Sequence, residues 1–299
     1  MANQYDVEVL GVRRGFSGLI EGDFVEMDRR SVSSILEDGG TVLKSGRCEA
    51  FYQKAQRAVA ARRMRESNMD ALVVIGGEGS LQGTYLLNKE HDIPVVGCPG
   101  TIDNDLFGTD TTIGYDTAIN SAIKNLDRIR DTADAHDRLF LVEVMGRDAG
   151  FIALHAGIGA GAELVLLPET SIEMDEVKER IESLMATQTR SSVVIVAEGE
   201  ELGGAGAIGN ALKNDPAFSH IEIRVVIFGH TQRGGAPTAR DRVLASRLGV
   251  AAVEVLLDGH TNVMVGVVAG ETKLTPIKNI GNRRKQIDYD LVRLIDVLS

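Results

Sequence analysis

Ala71-Leu72-Val73-Val74-Ile75-Gly76-Gly77-Glu78-Gly79-Ser80 is the stretch that decides the fold class. An apolar run reads as a strand, enters a glycine turn, and is followed by a helical segment at Leu81–Asn88. Strand, glycine turn and helix start bring backbone N–H groups and a helix N-terminus together, where phosphate can be received. Glu78 can reach a Mg²⁺ that bridges phosphates, and Ser80 can cap the helix or bond a phosphate oxygen. A tight turn with no ligand explains the same residues.

Just downstream, Ile93–Gly97 reads as a second short buried strand, and Gly100-Thr101-Ile102-Asp103-Asn104-Asp105 follows it. The carboxyl ends of strands are where open α/β sheets bind ligands. An Asp there can take a proton from a substrate hydroxyl while its neighbour serves Mg²⁺. An acidic surface turn is the alternative. Further strands are expected at Val7–Val12, Leu139–Val144, Leu164–Leu167, Val193–Ala197, Ile223–Phe228 and Val263–Val268. Helical patterns lie between them at Glu49–Ser67, Tyr115–Thr132, Met174–Gln188 and Pro237–Leu257. The alternation predicts an α/β protein with mostly parallel sheets flanked by helices. The 299 residues suit two lobes, with the chain passing between them more than once.

Other strand ends carry cations. Val142–Val144 leads into Met145-Gly146-Arg147, and Arg147 at such an edge suits charge on a transferring phosphoryl group. Phe228–Gly235 sets His230 and Arg233 in a glycine-flanked loop before a helix, a phosphate clamp or else a solvated loop. Arg224 lies on the strand before it, and Glu198 follows Val193–Ala197, placed to accept from sugar hydroxyls. Leu244, Leu248, Val253 and Leu256 recur at helical spacing and read as core.

Bulk properties exclude several classes. A net charge of −11 argues against broad nucleic-acid or anionic-membrane binding. No apolar run approaches the ~20 residues that span a bilayer. Cys48 and Cys98 make no disulfide framework, so a reducing cytoplasm is expected. Neither zinc-ligand spacing, a Gly-x-Ser-x-Gly elbow nor a Walker lysine occurs.

Taken in order, Pro99–Asp105, Val142–Arg147, Gly229–Gly235 and Asp241–Arg247 resemble the bacterial ATP-dependent 6-phosphofructokinases, colinear from about Val9 onward. The resemblance implies a glycolytic, allosteric, cytoplasmic homotetrameric kinase that moves the γ-phosphoryl of ATP to the 1-hydroxyl of fructose 6-phosphate. It implies a nucleotide-binding lobe at 1–114 and 232–282, and a sugar-phosphate lobe at 115–231 and 283–299. Asp103 matches the general base, Thr101 and Arg147 flank the transferred phosphoryl, and Glu78 and Asp105 match the Mg²⁺ site. Arg47, Cys48, Gly77, Glu78, Gly79 and Ser80 match nucleotide-binding positions. Thr101, Ile102, Asp103, Met145, Gly146, Arg147 and Glu198 match sugar-binding positions, and His230 and Arg233 match the 6-phosphate clamp. Arg138 and Arg224 match arginines that reach that phosphate from a neighbouring subunit.

Departures from the family pattern bear on activity. Glu78 stands where many relatives carry Asp. Arg29, Arg130 and Glu163 agree with the effector site, whereas Thr187 and Thr189 replace expected lysines, with Arg190 adjacent. Pyrophosphate-using members typically carry an acid at the position of Gly79 and a lysine at that of Gly100; glycine at both favours ATP. The family's opening strand and glycine loop have no counterpart in this sequence. Alternatives are therefore a pyrophosphate-dependent enzyme or a catalytically weak sugar-phosphate-binding relative.

Overall fold

The computed structural model describes residues 4–133, 138–187 and 192–298. In chain order the elements are β1 (Leu10–Val12), α1 (Phe16–Glu21), β2 (Phe24–Glu26), α2 (Lys54–Glu66), β3 (Leu72–Gly76), α3 (Glu78–His91) and β4 (Val95–Pro99). There follow α4 (Tyr115–Ala133), β5 (Arg138–Val144), α5 (Phe151–Ala160), β6 (Leu164–Leu166), α6 (Met174–Thr187), β7 (Ser192–Ala197), α7 (Gly204–Lys213) and β8 (Glu222–Ile227). The chain closes with α8 (Ala239–Leu257), β9 (Val263–Val268), β10 (Glu271–Pro276) and α9 (Tyr289–Leu298).

Two compact units result. The first takes the chain up to Thr101, Leu106–Gly114 and Gly235–Lys285; the second takes Ile102–Asp105, Tyr115–Gly234 and Gln286 onward. The short Ile102–Asp105 loop thus goes with the second unit, where Ile102 packs on that unit's apolar core.

The first unit holds a sheet ordered β10-β9-β4-β3 beside a small antiparallel pair, β1-β2. β3, β4 and β9 run parallel, and β10 returns antiparallel. The return is a two-residue hairpin with Ala269 (φ 51°) and Gly270 (φ 82°) both left-handed, the backbone that matches strand twist. Because β4 is covered on both faces it is apolar throughout. Val95 packs with Met64 and Leu81 on one side, while Val96 and Cys98 meet Leu244, Leu248 and Val265 on the other. Burial pushes the Cys98 thiol up to about 12, so it stays protonated and inert.

The second unit is an all-parallel sheet ordered β6-β7-β5-β8. Period-two alternation sorts its central strand. Leu139 and Leu141 face Val177, Ile181, Ile208 and Leu212 of α6 and α7. Phe140, Val142 and Val144 face Ala118, Leu126, Ile152 and Ile295 of α4, α5 and α9.

Some elements differ from the sequence reading. The first strand is only Leu10–Val12, and Glu49–Ser67 divides into a 3₁₀ turn at Glu49–Tyr52 and the helix α2. α8 begins after Pro237, at Ala239, because the Thr238 hydroxyl accepts the Asp241 N–H at 3.3 Å and sets the cap there.

Candidate active site

In the second unit the carboxyl ends of β5, β7 and β8 lie side by side, because those strands are parallel neighbours. Met145–Arg147 follows β5, Glu198 follows β7, and the 3₁₀ turn Gly229–Arg233 follows β8. The ladder closes with Glu198 N–H on Val144 O (2.9 Å) and Phe228 N–H on Glu143 O (3.1 Å). Beyond it, side chains take over. The Met145 N–H donates to Gln232 Oε1 at 2.8 Å. The Gly146 and Arg147 N–H groups donate to Glu198 Oε2 at 3.4 and 3.1 Å. Arg147 is left-handed at φ 53°, and a Cβ on Gly146 would stand 2.3 Å from Ala149 O, so glycine is required at the turn. The Arg147, His230 and Arg233 side chains are exposed, and Asp103 in the same unit is buried, 5% accessible.

Arg138 and Arg224 are not part of that edge. Arg138 opens β5 and Arg224 lies near the start of β8, so about 20 Å of strand separates Arg138 from Met145. Glu222 holds both arginines, at 2.7 Å from Arg138 Nε and directly from Arg224. The Arg138 hydrogen bond, with Arg224 adding to it, keeps the Glu222 carboxyl below the usual carboxylate range.

The first unit gathers Gly77, Ser80 and Thr101. Gly100 N–H donates to Gly76 O at 3.0 Å, and a Cβ on Gly77 would lie 3.5 Å from Thr101 Cβ. α3 starts at Glu78 with no side-chain cap at Gly77, leaving first-turn amides facing out. Glu78 and Gly79 are exposed, with open space where a Gly79 Cβ would stand. Arg47 is exposed and Cys48 packs partly on the apolar core; no described hydrogen bond joins either to the glycine turn.

Among the described residues no three His, Cys, Asp or Glu side chains form a metal-holding group. Glu78 alone and exposed, in the first unit, suits a Mg²⁺ that arrives on phosphates and keeps most of its water; Asp105 belongs to the second unit. Of the residues that the sequence matched to an effector site, Arg130 pairs with Glu163 at 3.1 Å, and Arg29 is exposed in the first unit. Thr189, Arg190 and the Thr187 side chain lie outside the described residues.

Sequence reading missed Gln232, Glu143 and Glu169. Glu143 Oε2 accepts the Ala205 N–H at 3.0 Å at the start of α7, and Glu169 accepts the Gly150 N–H at 2.9 Å before α5. Nothing in their spacing marks them, since each acts on backbone far along the chain.

The phosphofructokinase family model matches residues 1–256. ATP-dependent 6-phosphofructokinase 1 of Thermus thermophilus is 48% identical over 298 residues, all of this chain and 92% of that protein. ATP-dependent 6-phosphofructokinase 2 of Bacteroides thetaiotaomicron is 46% identical over 293 residues, 98% of this chain and 89% of that protein. The crystal structure of Pichia pastoris phosphofructokinase in the T-state superposes with a TM-score of 0.85 at 32% identity. That match covers 92% of this chain and about a third (32%) of the yeast chain. A pyrophosphate-dependent phosphofructokinase from Marinobacter aquaeolei shares the fold, with a TM-score of 0.81 at 23% identity over 95% of this chain and 77% of its own. The chain belongs to the phosphofructokinase family.

Proposed function

We propose that this chain is a kinase of glycolysis that transfers the γ-phosphoryl of ATP to the 1-hydroxyl of fructose 6-phosphate. The observation that carries the reading is the carboxyl edge of the second unit. There Met145–Arg147, Glu198 and the His230–Arg233 turn follow three neighbouring parallel strands, in a chain 48% identical to an ATP-dependent 6-phosphofructokinase. His230 and Arg233 hold the 6-phosphate through charge-assisted hydrogen bonds. Asp103 accepts the proton of the 1-hydroxyl as its oxygen bonds to the γ-phosphorus and the bond to the ADP oxygen breaks. Arg147 stabilises the charge that develops on the transferring group. The nucleotide phosphates meet the uncapped start of α3, with Gly77, Ser80 and Thr101 around it and Arg47 and Cys48 on the nucleotide side. Glu78 and Asp105 are the carboxylates that the family resemblance assigns to a Mg²⁺ arriving with ATP, which would supply neutralisation of phosphate charge.

Arg138 and Arg224 lie at the amino edge of the sheet, away from the His230–Arg233 turn, and the family resemblance gives them to a neighbouring subunit's 6-phosphate, which supports a homotetramer with shared sites. No described helix is long and apolar enough to cross a membrane, in keeping with a cytoplasmic enzyme. Glycine at 79 and 100 supports ATP over pyrophosphate; a Cβ at Gly100 already stands 2.8 Å from Ile75 Cγ2, so a lysine is not accommodated without moving Ile75. The test is purified protein with fructose 6-phosphate, Mg²⁺ and either donor. Expected is ADP-forming turnover with ATP exceeding that with pyrophosphate; faster turnover with pyrophosphate, or none with ATP, overturns the reading.

A further inference from the structure

We infer that Gln232 is a positioning residue whose side-chain amide locks the Met145–Arg147 turn to the His230–Arg233 turn. The inference rests on reading the second unit as the sugar-phosphate lobe. Parallel strands β5 and β8 stop exchanging backbone hydrogen bonds at Phe228 N–H on Glu143 O. The next inward N–H on that side belongs to Met145, and the chain after β8 has already curled away into its 3₁₀ turn. Gln232 supplies the missing acceptor from within that turn, Oε1 taking the Met145 N–H at 2.8 Å. Gln232 is 1% accessible, so the acceptor end of this part-buried bond is shielded from solvent. Its Nε2 is buried without a partner among the described residues, so the Met145 bond is the one described hydrogen bond that this amide makes.

The other side of the turn is held differently. Glu198 takes the Gly146 and Arg147 N–H groups, and Gly199 comes so close that a Cβ there would stand 2.1 Å from Arg147 O. Met145 has only the Gln232 amide among the described hydrogen bonds. Gln232 is therefore the tie between the turn bearing Arg147 and the turn bearing His230 and Arg233. It acts through the Met145 backbone, without touching the sugar.

The test compares Gln232→Met, which keeps size and loses the acceptor, with Gln232→Glu, which keeps the acceptor. Amide hydrogen exchange of the 145–147 segment in the full-length protein is one readout, and kcat and both KM values are the others. Gln232→Met is expected to speed exchange at 145–147 roughly ten-fold and to lower kcat/KM for fructose 6-phosphate by a similar factor, with KM for ATP unchanged. Gln232→Glu is expected to recover most of both losses. Unchanged exchange and kinetics in Gln232→Met overturn the inference, as does a Gln232→Glu protein impaired as much as Gln232→Met, which assigns the effect to packing. If methionine prevents folding, Gln232→Asn withdraws the same acceptor by one methylene and carries the same expectations. A wild-type chain that does not phosphorylate fructose 6-phosphate sinks the functional reading alone, because the exchange measurement still decides the tie.

Discussion

α3 of the first unit and two helices of the second treat their starts in opposite ways. In the first, α3 leaves the glycine turn with no side-chain cap, and no described hydrogen bond takes the N–H groups of Glu78, Gly79 or Ser80. In the second, carboxylates fill that role: Glu143 takes the Ala205 N–H at α7, and Glu169 the Gly150 N–H at α5. Glu198 closes the turn after β5 in the same manner, on Gly146 and Arg147, and Glu200 closes the turn after β7, on Leu202. A helix start already occupied by a carboxylate cannot receive a second anion. On the proposed reading, the contrast teaches that α3 of the first unit keeps backbone donors for phosphate, whereas the second unit meets phosphate with side-chain cations and uses carboxylates to fix backbone.

The strongest break in that division concerns Asp103, the buried carboxylate of the second unit that we propose as the general base. Asp103→Asn keeps the shape but cannot take the hydroxyl proton, so kcat is expected to fall roughly 10²–10⁴-fold with fructose 6-phosphate binding retained. Steady-state kinetics with a direct binding measurement decide it; near-normal kcat removes Asp103 from the role of base.

Next in size is a stability effect in the first unit. Arg57 of α2 pairs with Glu90 of α3 at 2.7 Å, with side chains only 5% and 15% exposed. Arg57 also donates to Phe51 O and Tyr52 O at 2.7 and 2.8 Å, and its bond to Glu90 holds that carboxyl below the usual range. Here an ion pair anchors the helix whose start is left open. Glu90→Ala strands the buried guanidinium and is expected to cost about 3–5 kcal/mol in denaturant unfolding. A loss under about 1 kcal/mol would make the pair no better than a surface one.

Smaller still, Arg233→Ala tests recognition by side-chain cations. Losing one charge-assisted bond is expected to weaken fructose 6-phosphate by ~1.5–3 kcal/mol, read as a raised KM with KM for ATP unchanged. An unchanged KM for the sugar phosphate would shift the clamp away from the β8 turn.

Much of this division was legible in the sequence, and what was not has physical reasons. Apolar runs bounded by glycine gave the parallel strands, since a strand covered on both faces shows itself as an unbroken run, as Val95–Pro99 does. α5, Phe-Ile-Ala-Leu-His-Ala-Gly-Ile-Gly-Ala, went unread because it is buried nearly all round and has no polar face to reveal a period. β10 went unread for the opposite reason: an exposed edge strand of Glu271–Pro276 has one buried position, Thr275. Asp103, Arg147, His230 and Arg233, whose types announce chemistry, were picked out as candidates from the sequence. Gln232 and Glu143 were not, because a side chain that accepts from a distant backbone N–H leaves no local pattern.

The smallest expected effect exposes what the second unit's device costs. Glu200 is 6% accessible and its carboxylate accepts the Leu202 N–H at 2.8 Å. Burial outweighs that hydrogen bond, and with Glu201 nearby it raises the Glu200 carboxyl above its ordinary range. A folded-state value raised above the unfolded one means that Glu200 favours the fold while protonated, below the ordinary carboxylate range. That contribution is lost as pH rises through the raised value. Glu200→Gln keeps an acceptor for Leu202 and has no charge to bury. Its melting temperature relative to wild type is therefore expected to climb as pH rises out of the ordinary carboxylate range toward neutrality. A difference that stays flat over that rise, or falls, would show that the amide hydrogen bonds fully offset the burial of this carboxylate.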